Sequence, residues 1–301
     1  MTLVLIALVG FVAQLIDGAI GMAFGITSTT MLLVIGYSPA IASAVTHLTE
    51  IGTSIASGSF HVRYGNVDRG ALLKVALPGG VGAFIGAVLL SSIDLSAASP
   101  WTATLLLGLG IVILVRFSRA TILGVTRRAR ARWLMPLGFV GGFVDATGGG
   151  GWGPIVTTSL TASNALSPRQ AIGTANTAEI VVALAASGGF LVGIGAAGIP
   201  WDAVLALLIG GVIAAPIAAK LVSIAPQRIL GLVTGTVIVL LNVRQLAVTS
   251  AAPTAALLIA LVVTGAACAV LIGWGIRRHR AERGVAEGSA QSSARDALEN
   301  E

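Results

Sequence analysis

Charge is scarce in this chain. Only 10% of its 301 residues are Asp, Glu, Lys or Arg, whereas a soluble domain uses about a quarter of its residues to keep its surface hydrated. Cysteine is nearly absent, and the single thiol, Cys268, excludes both a disulfide framework and a cysteine metal centre. Also missing are a Gly-x-Ser-x-Gly elbow, a His-Glu-x-x-His pair and a Gly-x-Gly-Asp site. Without a nucleophile or metal set, an enzyme is not expected.

Apolar runs take the place of charge: 55% of the residues are hydrophobic and the mean hydropathy is +0.95. A bilayer core asks for roughly 20 apolar residues per helix, and such runs recur from Leu3 almost to Gly275. The opening residues lack the basic start of a secretory signal and read as mature protein. The sequence pI near 10.7 does not imply nucleic acid, because Lys and Arg cluster between the runs, where they set topology.

The chain is internally duplicated. Gly10-Phe11-Val12, Asp17, Gly21, Gly25 and Thr29-Thr30 recur as Gly138-Phe139-Val140, Asp145, Gly149, Gly153 and Thr157-Thr158, always 128 positions later. Ser38-Pro39 and Glu50-Ile51 recur at Ser167-Pro168 and Glu179-Ile180, 129 positions later. Each half opens with a Gly-interrupted stretch (2–36 and 133–166). Apolar spans follow near 40–60, 71–90 and 100–118, then near 170–195, 202–222 and 229–246. A further span near 254–276 has no counterpart.

Six arginines between Arg116 and Arg132 put that segment in the cytoplasm. The corresponding loops of the two halves exchange basic character, so the second repeat reads as inverted. Residues 133–166 would make a helix of about 50 Å, too long for a single ~30 Å crossing. The run Asp145-Ala-Thr-Gly-Gly-Gly-Gly-Trp-Gly-Pro154 supplies a place to fold back, since glycine adopts the required dihedrals and proline suits a new first turn. The expected fold is therefore an all-α polytopic bundle of two inverted repeats with broken, re-entrant helices and one extra C-terminal span. Its parts are a first repeat (1–118), a basic cytoplasmic linker (119–132), a second repeat (133–246), an extra helix (247–276) and a cytoplasmic, disordered tail (277–301).

Two such breaks would face each other near the midplane, where helix N-termini offer N–H groups to an anion. The candidate substrate-binding residues are Asp17, Gly21, Thr29, Asp145, Gly149, Gly150, Gly151, Trp152, Thr157 and Asn176. Capping of the adjacent turn is the alternative for Asp17 and Asp145. Glu50 and Glu179 sit mid-helix at intramembrane cost, with His47 and Asn176 three residues earlier. His47, Glu50 and Glu179 are candidates for proton coupling or for lining a polar cavity. No metal site is expected, because His47 and Glu50 give only two donors from one helix and His61 falls at the cytoplasmic edge. No cofactor is expected either. Gly82, Gly86, Gly210 and Gly211 read as packing glycines, Asp68 and Asp202 as N-caps, and Arg169 as an interfacial anchor.

The Asp145–Pro154 run, the Ser-Pro-x-x-Ala-x-Gly-Thr stretch ending at Thr174 and the Gly65-Asn66-Val67-Asp68 loop together resemble the sulfite exporter TauE/SafE family, over roughly residues 3–246. The resemblance implies a bacterial inner-membrane carrier for sulfite, sulfonates or related sulfur-containing or carboxylate anions. The first half departs from the pattern: the stretch from Asp17 to Gly25 has lost the glycine run and the proline. The expected partners are a small anionic substrate and the lipid bilayer, with no nucleic acid; a homo-oligomer stays open. An anion channel and a non-transporting membrane receptor are the competing readings.

Overall fold

Ser38 and Asp68 show how polar residues punctuate the apolar chain. The Ser38 hydroxyl accepts from the Ile41 amide with Pro39 in the first turn, and Asp68 Oδ1 accepts from the Ala71 amide at 2.8 Å. Each starts a long helix by satisfying an N–H that the helix leaves free. Asp202 is not such a cap. It lies one residue inside its helix, where the acid still complements the dipole, and Oδ1 accepts from the neighbouring Ala203 amide.

The computed structural model describes residues 2–20, 22–118, 131–162, 166, 168–224 and 227–299. Gly21, Ser167 and most of the expected basic linker lie outside the described residues, as does the Arg169 side chain. The helices are α1 (Thr2–Ile20), α2 (Phe24–Ile35), α3 (Pro39–Arg63), α4 (Arg69–Ser92), α5 (Leu95–Ser118), α6 (Ala131–Gly148), a π-helical turn (Gly153–Thr157) running into α7 (Thr158–Ala162), α8 (Pro168–Gly193), α9 (Trp201–Ile224), α10 (Gln227–Thr249) and α11 (Thr254–Glu299). The chain is all-α among the described residues, and five helices are long and apolar enough to cross a membrane: Arg69–Ser92, Ala97–Ser118, Gln170–Gly193, Gly231–Thr249 and Thr254–Arg277.

Helix α3 stands apart from those five although the sequence marks 40–60 as apolar. It buries Ser43, Thr46, His47, Thr49, Glu50 and Ser54 instead. Surrounded by α8, α9, α2 and α6, it can carry polar groups that a lipid-facing helix cannot. Helix α11 is the opposite case. It leans mainly on α10, and its apolar window is almost wholly unburied. Its backbone continues helical to Glu299, through the stretch whose composition reads as disordered.

Packing exchanges elements between the halves. Helix α1, which opens the first half, packs against α9 of the second; α6, which opens the second, packs against α4 of the first. Glycines make both contacts possible. A Cβ on Gly10 or Gly210 would fall 2.1 and 1.9 Å from the Leu207 and Ala7 carbonyl oxygens, and one on Gly138 or Gly82 would fall 2.3 and 2.1 Å from those of Val75 and Phe139. Only bare Cα atoms permit such backbone approach, which is how helices associate where apolar burial from water supplies no drive. Gly86 is similarly close to the Phe143 carbonyl, whereas Gly211 meets nothing nearer than 3.6 Å.

The apolar core follows the same exchange. One cluster joins Val75 and Leu90 to Trp152, Val182 and Phe190, and the other joins Ile6, Ile26 and Leu106 to Leu207 and Ile238. On the outside, Leu73, Leu77, Val81, Leu205, Ile209 and Val212 are exposed, as expected of a surface whose solvent is lipid.

Candidate functional site: a cavity between two chain breaks

Both Gly-interrupted stretches are broken. Helix α6 ends at Gly148; Gly149 and Gly150 take φ of +71° and +144°, and helical geometry resumes at the turn containing Pro154. Such dihedrals favour glycine. Asp145 holds the break together, its Oδ1 accepting from the amides of Gly151 (2.5 Å) and Trp152 (2.8 Å). In the first half Asp17 Oδ1 accepts from Ala23 (2.7 Å) and Phe24 (3.1 Å). Those acceptors and donors are repeat-equivalent, so one device recurs although the first half lacks the glycine run.

This geometry corrects one expectation. The amides at residues 23, 24, 151 and 152 are not free for a passenger, because the two aspartates already cap them. A helix N-terminus buried away from water needs an acceptor, and the chain supplies its own.

The breaks touch each other. A Cβ on Gly25 would lie 2.8 Å from Gly150 Cα, and one on Gly153 would lie 2.8 Å from Met22 Cα; each contact is the other's repeat equivalent with the halves exchanged. The Thr29 hydroxyl donates to the Gly149 carbonyl and lies 3.1 Å from that of Thr46. Thr29 therefore ties one break to the other.

Beside this junction lies a cavity of about 340 Å³, within the range of small-ligand sites. Among the candidates, Asp17, Glu50, Asp145, Gly150, Gly151, Trp152, Asn176 and Glu179 line it. The Trp152 side chain also anchors the break, since its indole Nε1 donates to the Ala175 carbonyl at 2.9 Å. Thr29, Gly149 and Thr157 are buried behind the lining, and Gly21 is outside the described residues. His47 is fully buried behind Asp145, with Nε2 3.2 Å from Asp145 Oδ2.

Sequence reasoning missed Gln14, Met22, Thr53, Ser54, Ser57 and the inward placement of His61. The signal was present on α3: Glu50, Thr53, Ser54, Ser57 and His61 recur at helical spacing and form one polar stripe. The Ser54 hydroxyl donates to Glu179 Oε2 at 3.2 Å, and Asn176 Nδ2 donates to Ser57 Oγ at 3.2 Å. Thus α3 and α8 are joined by polar contacts along the cavity wall. Two acceptors there, Glu50 Oε2 and Gln14 Oε1, are buried and have no hydrogen-bond partner among the described residues. The expectation of no metal counted α3 alone; the fold adds Asp145, so that His47, Glu50 and Asp145 each bring one donor atom within 4.8 Å of the others.

Residues 6–245 match the family Sulfite exporter TauE/SafE. The chain belongs to this family. Among curated proteins, it is 42% identical over 247 residues to "Probable membrane transporter protein YtnM" of Bacillus subtilis (strain 168), covering 81% of this chain and 82% of that one. It is 28% identical over 232 residues to "Probable membrane transporter protein YdhB" of the same organism, covering 75% and 93%. No solved structure matches the chain. This TauE/SafE protein is accordingly a multi-pass membrane transporter, with a small-molecule substrate and a lipid environment.

Proposed function

We propose that this transporter carries a small anion, such as sulfite, an organosulfonate or a related sulfur-containing or carboxylate anion, across the bacterial inner membrane. The substrate occupies the cavity between the breaks. In this reading the two halves are inverted and the C-terminus is cytoplasmic, consistent with Arg277-Arg278-His279-Arg280 after the last span.

The observation that carries the reading is the reciprocal contact of Gly25 with Gly150 and of Gly153 with Met22. It makes one cavity out of both halves, the arrangement that lets two packed bundles rock about a shared site. Ser57, Asn176 and His61 offer donors to a passenger's oxygens. Four carboxylates line the same space, and no Lys or Arg does so among the described residues. An anion is therefore accommodated only when the wall's negative charge is offset by protons or cations.

Thermal stabilisation of the purified protein by sulfite, sulfate, thiosulfate, sulfoacetate and small carboxylates would select the substrate, because a ligand stabilises the state that binds it. Proteoliposomes should then show saturable flux, accelerated by substrate on the far side. Flux linear in concentration would replace the carrier with a channel, and binding without flux would indicate a receptor.

A further inference from the structure

Glu50 is 3% exposed, and its Oε2 finds no hydrogen-bond partner among the described residues. Its repeat counterpart, Glu179, accepts from the Ser54 hydroxyl, so the same acid is partnered in one half and bare in the other. A bare carboxylate oxygen in a buried place is costly and calls for a ligand. What surrounds it is further acceptors. His47 Nδ1 lies 2.8 Å from the Ser43 carbonyl oxygen, and a carbonyl only accepts, so the ring hydrogen is on Nδ1 and Nε2 turns its lone pair outward. That nitrogen is 3.2 Å from Asp145 Oδ2. Glu50, His47 and Asp145 thus converge with one donor atom each, all within 4.8 Å of one another. A single hydrogen bridges two of these atoms and leaves the third unsatisfied, whereas a metal ion takes lone pairs from all three.

The dimensions suit an ion. Neighbouring ligands about 2.1 Å from one metal lie ~3.0–3.4 Å apart, which is the separation of His47 Nε2 from Asp145 Oδ2. Two of the ligands are steadied from behind: His47 by the Ser43 carbonyl, and Asp145 through Oδ1, which accepts from the Gly151 and Trp152 amides. Such outer-shell bonds orient metal-binding histidines and carboxylates. The donor types select the class of ion. Magnesium and calcium take oxygen, whereas one imidazole with two carboxylates suits a first-row divalent metal.

We infer that His47, Glu50 and Asp145 form a site for one first-row divalent metal ion in the cavity wall, and that an open position on this ion takes an oxygen or sulfur atom of the anionic passenger. Three protein ligands leave such a position. Glu50 and Asp145 line the cavity while His47 is buried behind them, so the open side faces the cavity. Four carboxyl groups and no Lys or Arg line that space among the described residues, and the ion brings two positive charges to it. The second half does not repeat the site. Asn176 stands where His47 stands and turns to Ser57 and His61, so one ion per chain is expected.

The metal site stands on the geometry of its three ligands, whereas contact with the passenger rests on the anion-carrier reading above; two measurements keep them separate. For the site, the full-length protein without an affinity tag is stripped with chelator and titrated with Co2+ or Zn2+. One equivalent should bind per chain, and X-ray absorption of the Co2+ form should show one imidazole among oxygen ligands. The chain has three histidines, so a variant with both His61→Gln and His279→Gln retains His47 alone and should bind the same single equivalent. His47→Gln and Glu50→Gln should each weaken binding at least about a hundredfold, beyond the loss of an outer-shell partner. Absence of stoichiometric binding, a Co2+ site without imidazole, or unchanged affinity in either variant would overturn the site. The X-ray absorption is measured on the unaltered chain and decides the matter even where a variant fails to fold.

For the passenger, sulfite, thiosulfate and sulfoacetate are added without oxygen to the Co2+ form, and their uptake into proteoliposomes is measured with metal and with chelator. An anion that moves should shift the visible cobalt bands, and its uptake should fall at least about tenfold in chelator, the order of one charged contact. Unshifted bands with uptake indifferent to metal would remove the ion from the passenger's path. If none of the three anions moves, the carrier reading falls and takes the contact with it, whereas the metal site is still decided by stoichiometry and X-ray absorption.

Discussion

Gly25 and Gly150 meet backbone to backbone: a Cβ on Gly150 would lie 2.1 Å from the Ile26 nitrogen, and one on Gly25 would lie 2.7 Å from Glu50 Oε1. The two residues come from different halves of the chain, and they bring together the two breaks that border the cavity.

Gly150→Ala should consequently destabilise strongly, since the new methyl meets backbone and the residue also sits at φ +144°. A loss of about 4 kcal/mol or failure to accumulate is expected. Gly188→Ala, where no atom lies within 4 Å of the new Cβ, should change stability by less than about 1 kcal/mol. Thermal unfolding in detergent compares the two, and equal stability would mean that the breaks are not in contact.

Asp17→Ala removes a cap and should cost about 1–2 kcal/mol. Asp145→Ala should cost more, because it also strips His47 Nε2 of its partner in a buried site. Melting temperatures of the pair test this ordering. If Asp17→Ala equals or exceeds Asp145→Ala, the His47 contact contributes nothing to stability.

Glu179→Gln keeps the size of the side chain and an acceptor for Ser54, yet removes from the cavity wall a group that can gain and lose a proton. Transport should fall about tenfold, the order of one lost polar contact to the passenger, while the melting temperature stays near wild type. Unchanged flux would return Glu179 to a packing role between α3 and α8.

Repeat-related glycines should behave alike. Gly10→Ala and Gly138→Ala each push a methyl into a carbonyl of the partner helix, at 2.1 and 2.3 Å, and each should lower stability by about 1–3 kcal/mol through forced separation. Deep-sequenced expression levels of both variants would check the match. Tolerance at one position and collapse at the other would break the structural equivalence of α1 with α6.

The sequence by itself determined the solvent, the duplication and the broken stretches, because each is a one-dimensional property: scarcity of charge, a repeat offset, and the position of glycines before a proline. It also marked Asp17, Glu50, Asp145 and Glu179 as unusual, since an acid in an apolar run is costly wherever the run folds. Only the tertiary structure decided what those acids face. Capping of the amides by Asp17 and Asp145, the pairing of His47 with Asp145 across 98 positions, and the turn of His61 into the cavity depend on which helix lies beside which. That choice is made by close backbone approach at glycines such as Gly10 and Gly82, between residues far apart in the chain, and no local pattern of hydrophobicity encodes it.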